Sequence, residues 1–266
     1  MKKFFIVFAC LIGLFLTACQ QEDNQQAEDH ANKQQEADQP TKDELDDSKN
    51  NKEEETNKHI AKIEEETGLH VVDNPESELV YVNKQRKLPT GYVPPNLTVP
   101  DVPHFSKEGN PKRQLQKSAA DALEELFAEA QNNGIGLVAV SGYRSYERQE
   151  SIYSSIVDTK GQDHADKYSA KPGTSEHQTG LTMDVASATE TVSTLLEESF
   201  SQTDAGGWLA EHAHEFGFII RYPKGKEDIT GYSYEPWHIR YVGHEVAQTI
   251  YQKDITLEEY FGYDYE

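Results

Sequence analysis

The sequence of 266 residues contains little sulfur, with two cysteines and two methionines. Both cysteines, Cys10 and Cys19, lie at the N-terminus, so residues 20–266 carry no thiol and can form no disulfide. This absence excludes a cysteine nucleophile and a thiolate metal site from the rest of the chain. It suits an exported protein whose core is large enough to be stable without disulfides.

Basic residues are also scarce. The chain has 25 Lys and Arg against 47 Asp and Glu, for a formal net charge of −22 at pH 7. The bases do not cluster, whereas phosphate contacts require clustered Lys and Arg. We therefore expect no nucleic-acid partner.

Long apolar runs are missing too, and the N-terminal run from Phe4 to Leu16 is short of the roughly 20 residues that a stable membrane span needs. Met1-Lys2-Lys3 before it complete the pattern of a secretory signal. The following Leu16-Thr17-Ala18-Cys19 resembles the lipobox of bacterial lipoproteins. That resemblance implies a signal peptide at 1–18, a lipidated (palmitate-bearing) Cys19, and anchoring on the extracytoplasmic membrane face towards the cell wall. An ordinary signal peptide with an incidental thiol and an uncleaved anchor are the alternatives.

The segment that follows has almost no apolar residues. Residues 20–58 carry 13 acids and 5 bases, which is −8 of the formal −22. Such a composition cannot bury enough surface to offset its ordering entropy. We expect residues 19–58 to form a lipidated, disordered acidic tether, and residues 59–266 to form one folded domain, a monomer.

Hydrophobic patterning within the domain mixes helices and strands without regular alternation. This favours an α+β fold on a small antiparallel sheet flanked by helices. The predicted strands are 79–82, 136–140, 181–186, 218–221 and 238–242, and the predicted helices are 112–131, 146–157, 203–216 and 243–251. Residues 159–176 are predicted to be a polar loop.

Three residues in two short segments form a candidate metal site: His177 and Asp184, seven apart, and His238. Two imidazoles and one carboxylate suit a catalytic zinc ion, which takes three protein ligands and keeps a position for water. Asp184 lies in an otherwise apolar strand, where an aspartate is costly unless it is paired or bound to metal. Glu235, three residues before His238, is a natural general base, provided that Pro236 bends the chain, since strand residues three apart face opposite sides.

Three motifs in order carry a family resemblance: Ser-Gly-Tyr-Arg-Ser (141–145), Ser-Glu-His-Gln-Thr-Gly-Leu-Thr-Met-Asp (175–184) and Glu-Pro-Trp-His (235–238). Together they resemble the VanY-type D-alanyl-D-alanine carboxypeptidases, zinc peptidases that trim peptidoglycan stem peptides. They are most similar to the lipoprotein L,D-carboxypeptidases of Gram-positive bacteria. The resemblance covers about residues 78–261 and implies a Hedgehog/DD-peptidase-like fold.

The resemblance also implies roles, position by position. His177, Asp184 and His238 would bind one Zn²⁺ per chain, and Glu235 would be the catalytic base. The residues expected to contact substrate are Arg144, Gln149, Ser175 and Tyr222. From its chemistry, Arg144 suits either the oxyanion or the free carboxylate of a C-terminal D-alanine.

The expected activity is removal of a C-terminal D-alanine from peptidoglycan stem peptides, with the L,D-type reaction on tetrapeptides favoured. A D,D-carboxypeptidase acting on pentapeptides that end in D-Ala-D-Ala is one alternative. A non-catalytic wall-binding lipoprotein of the same fold is another, since a fold does not fix an activity. The presence of Glu235 argues against a pure binder, because binding needs no base.

Overall fold

The computed structural model describes residues 62–189 and 195–262. The predicted signal peptide, Cys19 and the acidic tether lie outside these residues. The strands are β1 Lys62–Ile63, β2 His70–Val71, β3 Arg86–Lys87, β4 Leu97–Thr98, β5 Leu115–Gln116, β6 Leu137–Ser141, β7 Thr182–Ser187, β8 Phe218–Ile220 and β9 His238–Tyr241. The helices are α1 Lys117–Asn132, α2 Tyr146–Lys160, α3 Gln162–Tyr168, α4 Asp204–His212, α5 Glu227–Thr230, α6 His244–Lys253 and α7 Leu257–Phe261.

A four-stranded antiparallel sheet is the centre of the fold. Its strand order is β6-β7-β9-β8, so β7 and β9 lie in the middle. This confirms the predicted α+β fold on a small antiparallel sheet. β7 is buried along its whole length because both of its faces are covered.

Side chains alternate between two environments along the central strands, as the period of two in a strand requires. Met183 and Val185 on β7, with Ile239 on β9, belong to the main hydrophobic core, which also includes Leu123 and Leu126 of α1. The intervening residues are polar and face the other side. Thus the same sheet supplies the apolar core on one face and polar groups for a site on the other.

The predicted helix 112–131 begins later than expected, at Lys117. Residues 111–113 form a 3-10 turn, and Leu115–Gln116 form β5, which pairs with β4. The reason is tertiary: the carbonyls of Lys112 and Gln114 accept hydrogen bonds from the backbone N–H groups of Gly142 and Tyr143. Carbonyls committed to another segment cannot form a helical ladder.

Two further expectations were wrong. The polar segment 159–176 contains the helix α3, whose Asp166 bonds the hydroxyl of Tyr153 on α2. Residues 80–82 are buried and Leu79 is partly buried, but they form no strand, because the carbonyls of Val80 and Tyr81 accept hydrogen bonds from the side chains of Arg240 and Arg86. Buried guanidinium groups take the place of a strand partner there.

The remaining predicted elements are confirmed with small shifts at their ends, and the last turn of the helix predicted at 203–216 is 3-10. Within residues 62–189 and 195–262, every helix is too short or too polar to span a bilayer.

Candidate metal centre and active site

Asp184 and His238 face each other across the two central strands. They are direct partners in the β7–β9 register, so their side chains project from the same face of the sheet. His238 Nδ1 lies 3.1 Å from Asp184 Oδ1, and both residues are buried. The antiparallel pairing therefore brings together two segments that are 54 positions apart in the sequence.

His177 reaches the same point from the 3-10 turn Glu176–Thr179, which Gly180 ends in a left-handed conformation at φ 68°. Its Nε2 is 3.4 Å from Asp184 Oδ2. Its Nδ1 lies 2.9 Å from the carbonyl oxygen of Gly142, which can only accept, so Nδ1 carries the proton and Nε2 presents its lone pair. The sequence therefore folds so that His177 offers a ligand atom in a fixed orientation.

The three residues fit a zinc ion. Their ligand atoms all lie within 4.8 Å of one another. Tetrahedral coordination with bonds of about 2.0–2.1 Å separates neighbouring ligand atoms by about 3.3 Å. The two histidine–aspartate distances, 3.1 and 3.4 Å, are close to that value. Asp184 Oδ1 is buried and has no hydrogen-bond partner in the part of the chain that the structure describes. A buried carboxylate oxygen without a donor is costly, and a cation between the three side chains removes that cost.

The electrostatics of the two imidazoles differ. Burial lowers the pKa of His177 to about 3, so this ring is neutral at physiological pH. Burial alone would also lower the pKa of His238, but the carboxylates of Asp184 and Glu176 outweigh it and raise the pKa to about 9. A metal must therefore displace one proton from His238, whereas His177 is ready to bind.

Glu235 lies beside this centre. Its backbone N–H bonds the carbonyl of Tyr222, and the N–H of His238 bonds its carbonyl, which closes a turn at Pro236. The predicted bend is confirmed, and Glu235 Oε2 lies 3.5 Å from His238 Nδ1. Burial raises the pKa of Glu235 to about 7, the range in which a carboxylate can both take up and release a proton.

Arg144 follows the end of β6, and its backbone N–H bonds the carbonyl of His177. Its Nη1 donates to Gln149 Oε1 over 2.9 Å, and the amide of Gln149 donates to the carbonyl of Ala170 over 2.6 Å. Arg144 Nε is buried without a partner among the described residues. Gln149 therefore aims the guanidinium, and Arg144 keeps hydrogen-bonding capacity for a ligand.

One cleft of about 310 Å³ contains every residue that the sequence predicts for the site within the described part of the chain. Ser175 and Tyr222 are buried in its wall, and the Tyr222 ring centroid is 4.8 Å from that of His238. Apolar side chains complete the lining; they include Ile152, Ile156, Leu196 and Trp237. The roles of Arg144, Gln149, Ser175 and Tyr222 in substrate binding stay predictions.

Sequence reasoning missed a buried ionic network behind the metal centre. Glu176 Oε1 accepts hydrogen bonds from Arg221 Nε (2.7 Å) and Arg240 Nη1 (2.9 Å). Arg221 also forms a two-pronged pair with Glu258, at 2.6 and 2.8 Å. All four side chains are fully buried. The alternation Thr182-x-Asp184 and His238-x-Arg240 is the signal that could have placed Arg240 on the polar face.

The chain is similar in sequence and structure to known carboxypeptidases. Residues 112–244 match the family model of VanY, D-alanyl-D-alanine carboxypeptidase. YodJ of Bacillus subtilis (strain 168), itself assigned as a carboxypeptidase, is 50% identical over 199 residues, which cover 75% of this chain and 72% of YodJ.

Two solved structures extend the similarity to the fold. The L,D-carboxypeptidase LdcB has a TM-score of 0.72 at 49% identity, covering 76% of this chain and 94% of its own. The vancomycin-resistance D,D-pentapeptidase VanY in complex with Zn(II) has a TM-score of 0.56 at 34% identity, covering 70% of this chain and 99% of its own.

Proposed function

The chain belongs to the VanY family of D-alanyl-D-alanine carboxypeptidases, and we propose that it removes the C-terminal D-alanine from peptidoglycan stem peptides with one zinc ion per chain. The observation that carries this proposal is the cleft itself. It holds two imidazoles, a buried carboxylate, a neighbouring glutamate and a guanidinium within one small volume. These are the groups that hydrolysis of a C-terminal peptide bond requires.

His177, Asp184 and His238 would hold the zinc ion. A zinc ion there supplies a Lewis acid for the scissile carbonyl and lowers the pKa of a water molecule. Glu235 takes a proton from the attacking water at its carboxylate and transfers it to the leaving amine of D-alanine. The carbon–oxygen bond forms before the carbon–nitrogen bond breaks, and the products are a shortened peptide with a new carboxylate and free D-alanine.

Arg144 is the residue that we assign to the substrate's C-terminal carboxylate. Among the described residues that line the cleft, Arg144 is the only arginine or lysine, so it is the only side chain there that is always positively charged. Gln149 fixes its Nη1, which leaves the other guanidinium donors for a carboxylate in a planar, paired geometry. This assignment explains why the enzyme would act at a chain end and leave internal peptide bonds intact.

We favour the L,D-type reaction on tetrapeptides. Support comes from the greater similarity to LdcB, at 49% identity, than to the D,D-enzyme, at 34%. Ser175 and Tyr222, at the positions that the resemblance assigns to substrate contact, both line the cleft. The D,D-reaction on D-Ala-D-Ala remains the second candidate, because VanY of the VanB-type cassette shares the fold.

Incubating the zinc-loaded protein separately with a tetrapeptide and a pentapeptide, and weighing the products, tests the proposal. Loss of one alanine from the tetrapeptide supports the L,D-type reaction, and loss of one alanine from the pentapeptide alone supports the D,D-type. If neither peptide is shortened by the zinc-loaded protein, the proposed function is wrong.

We propose from the N-terminal sequence that the enzyme lies on the outer face of the membrane. Lipidation of Cys19 would anchor it, and the acidic segment 19–58 would let the domain reach the wall. Growth of a Gram-positive host with labelled palmitate should label the wild-type protein and leave Cys19→Ala unlabelled. Absence of label from the wild type, or equal labelling of both proteins, would contradict lipid anchoring at Cys19.

A further inference from the structure

Glu176 stands between a zinc ligand and two arginines. Its Oε2 lies 3.3 Å from His238 Nε2, and its Oε1 accepts hydrogen bonds from Arg221 and Arg240. The hydroxyl of Thr182 also donates to Oε2 over 3.2 Å. Glu176 is fully buried, and these protein groups contact both of its carboxylate oxygens. The proposed catalytic steps do not use this side chain.

The chemistry of this contact fixes the His238 ring. A carboxylate only accepts hydrogen bonds, so His238 Nε2 must carry the proton that is shared with Glu176. When the ring gives up its second proton to bind a metal, the proton on Nε2 stays with Glu176 and Nδ1 presents its lone pair; Nδ1 is the atom that points at Asp184. Gly142 plays the corresponding part for His177, through a neutral carbonyl.

We propose that Glu176 is a positioning residue for the zinc site, which holds His238 in the tautomer and orientation that presents Nδ1 to the metal. The inference rests on the zinc site of the proposed function. It adds a negative charge directly behind one ligand, and such outer partners raise the basicity of a ligating imidazole. Arg221 and Arg240 make the buried charge tolerable, because each donates to the same oxygen of Glu176.

The arginines also determine how a substitution would behave. In Glu176→Gln the side chain keeps its size, but its amide has one accepting end and one donating end. Two guanidinium donors at the Oε1 position require the accepting end, so the NH₂ group is directed at His238 Nε2. That arrangement favours the proton on Nδ1, which is the wrong tautomer for binding a metal through Nδ1.

Glu258→Gln is the matched control. Glu258 is equally buried and also pairs with Arg221, but its carboxylate accepts from Arg221 and Asn83 and has no part in the zinc centre. Both variants remove one negative charge from the same network. A purely structural role would make the two behave alike, whereas a positioning role separates them.

The experiment measures the zinc Kd of the full protein by competition with a chromogenic chelator, together with the thermal midpoint. We expect Glu176→Gln to raise the zinc Kd by about 10–100-fold, the usual range for loss of such a partner. Glu258→Gln should lower the thermal midpoint but keep a zinc Kd near that of the wild type. An unchanged Kd in Glu176→Gln, or an equal rise in both variants, would overturn the proposal.

A second measurement decides the case if Glu176→Gln does not fold. The zinc-loaded wild type should show an imidazole N–H resonance of His238 that is protected from exchange with solvent, because Nε2 donates to the buried Glu176. A rapidly exchanging Nε2–H would overturn the proposal. Both readouts are independent of peptidase activity, so a protein that binds zinc as described but cleaves no stem peptide would fail the proposed function and leave this inference standing.

Discussion

Zinc affinity should depend steeply on pH, because His238 must lose a proton before its Nδ1 can bind. Its pKa in the metal-free protein is raised to about 9, whereas the pKa of His177 is lowered to about 3 and that of Asp184 is also lowered. Between pH 7 and 9, His238 is thus the ligand that titrates. Two pH units below its pKa only about 1% of the rings are neutral, so affinity at pH 7 should be about 100-fold weaker than its limit at high pH.

The slope gives a direct assay. The zinc Kd, measured by chelator competition and corrected for protonation of the chelator, should fall about tenfold per pH unit from pH 7 to 8.5. Calorimetry in buffers of different ionisation enthalpy should find about one proton released per zinc ion at pH 7. His212, a partly exposed histidine beside Glu215, provides the control, and His212→Gln should leave both results unchanged.

The stability of the metal-free protein should also depend on pH, because of the same histidine. A folded-state pKa above the ordinary histidine value of 6.5 means that His238 stabilises the metal-free protein fully below about pH 6.5, and that this contribution is lost as the pH rises through about 9. The increase in thermal midpoint on adding zinc should therefore grow from pH 7 to 9. A zinc Kd that does not change with pH, with no proton released, would refute the argument that Asp184 and Glu176 keep His238 charged.

Three substitutions test other parts of the site. Glu235→Gln should keep the zinc Kd and lower kcat about 10²–10⁴-fold, the usual contribution of a general base; undiminished kcat by product assay would remove Glu235 from that role. Arg144→Gln should abolish the preference for a peptide with a free C-terminal carboxylate over the same peptide with a C-terminal amide. The kcat/KM for the free acid should fall by about 10–100-fold, because a hydrogen bond to a charged group contributes about 1.5–3 kcal/mol. An intact preference would contradict the assignment. Gly142→Ala should lower stability in a denaturant titration by about 1–3 kcal/mol, since its Cβ would lie 2.5 Å from the carbonyl oxygen of Gln114, and wild-type stability would contradict this packing.

Local patterns were sufficient to predict most of the sheet and the main helices. Apolar periodicity in α1, and the short β-branched or apolar runs of β6, β7 and β9, depend on neighbours within a few residues. The errors occurred where distant groups decide the backbone pairing. The carbonyls of Lys112 and Gln114 bond the segment after β6. Those of Val80 and Tyr81 bond arginine side chains. Periodicity contains no information about such partners.

The candidate ligands could also be predicted, because burying an aspartate in an apolar strand, or a histidine at the start of another, costs free energy unless the side chain is paired or binds a metal. What the sequence could not provide was the set of partners that orients them. Glu176 is one of 47 acidic residues in the sequence, and no local pattern marks Arg221 and Arg240 as its partners. Their importance depends on complete burial and on distances of 2.7–2.9 Å.

The amino-acid sequence by itself determined the kind of chemistry. It supplies histidine and aspartate as metal ligands, a glutamate as a base and an arginine as a cation. Only the tertiary structure decided that they act at one point. The antiparallel pairing of β7 with β9 puts Asp184 opposite His238, and the turn at Pro236 puts Glu235 next to them. Strand register and the burial of charge are properties of distant contacts, so they become visible only when the chain has folded.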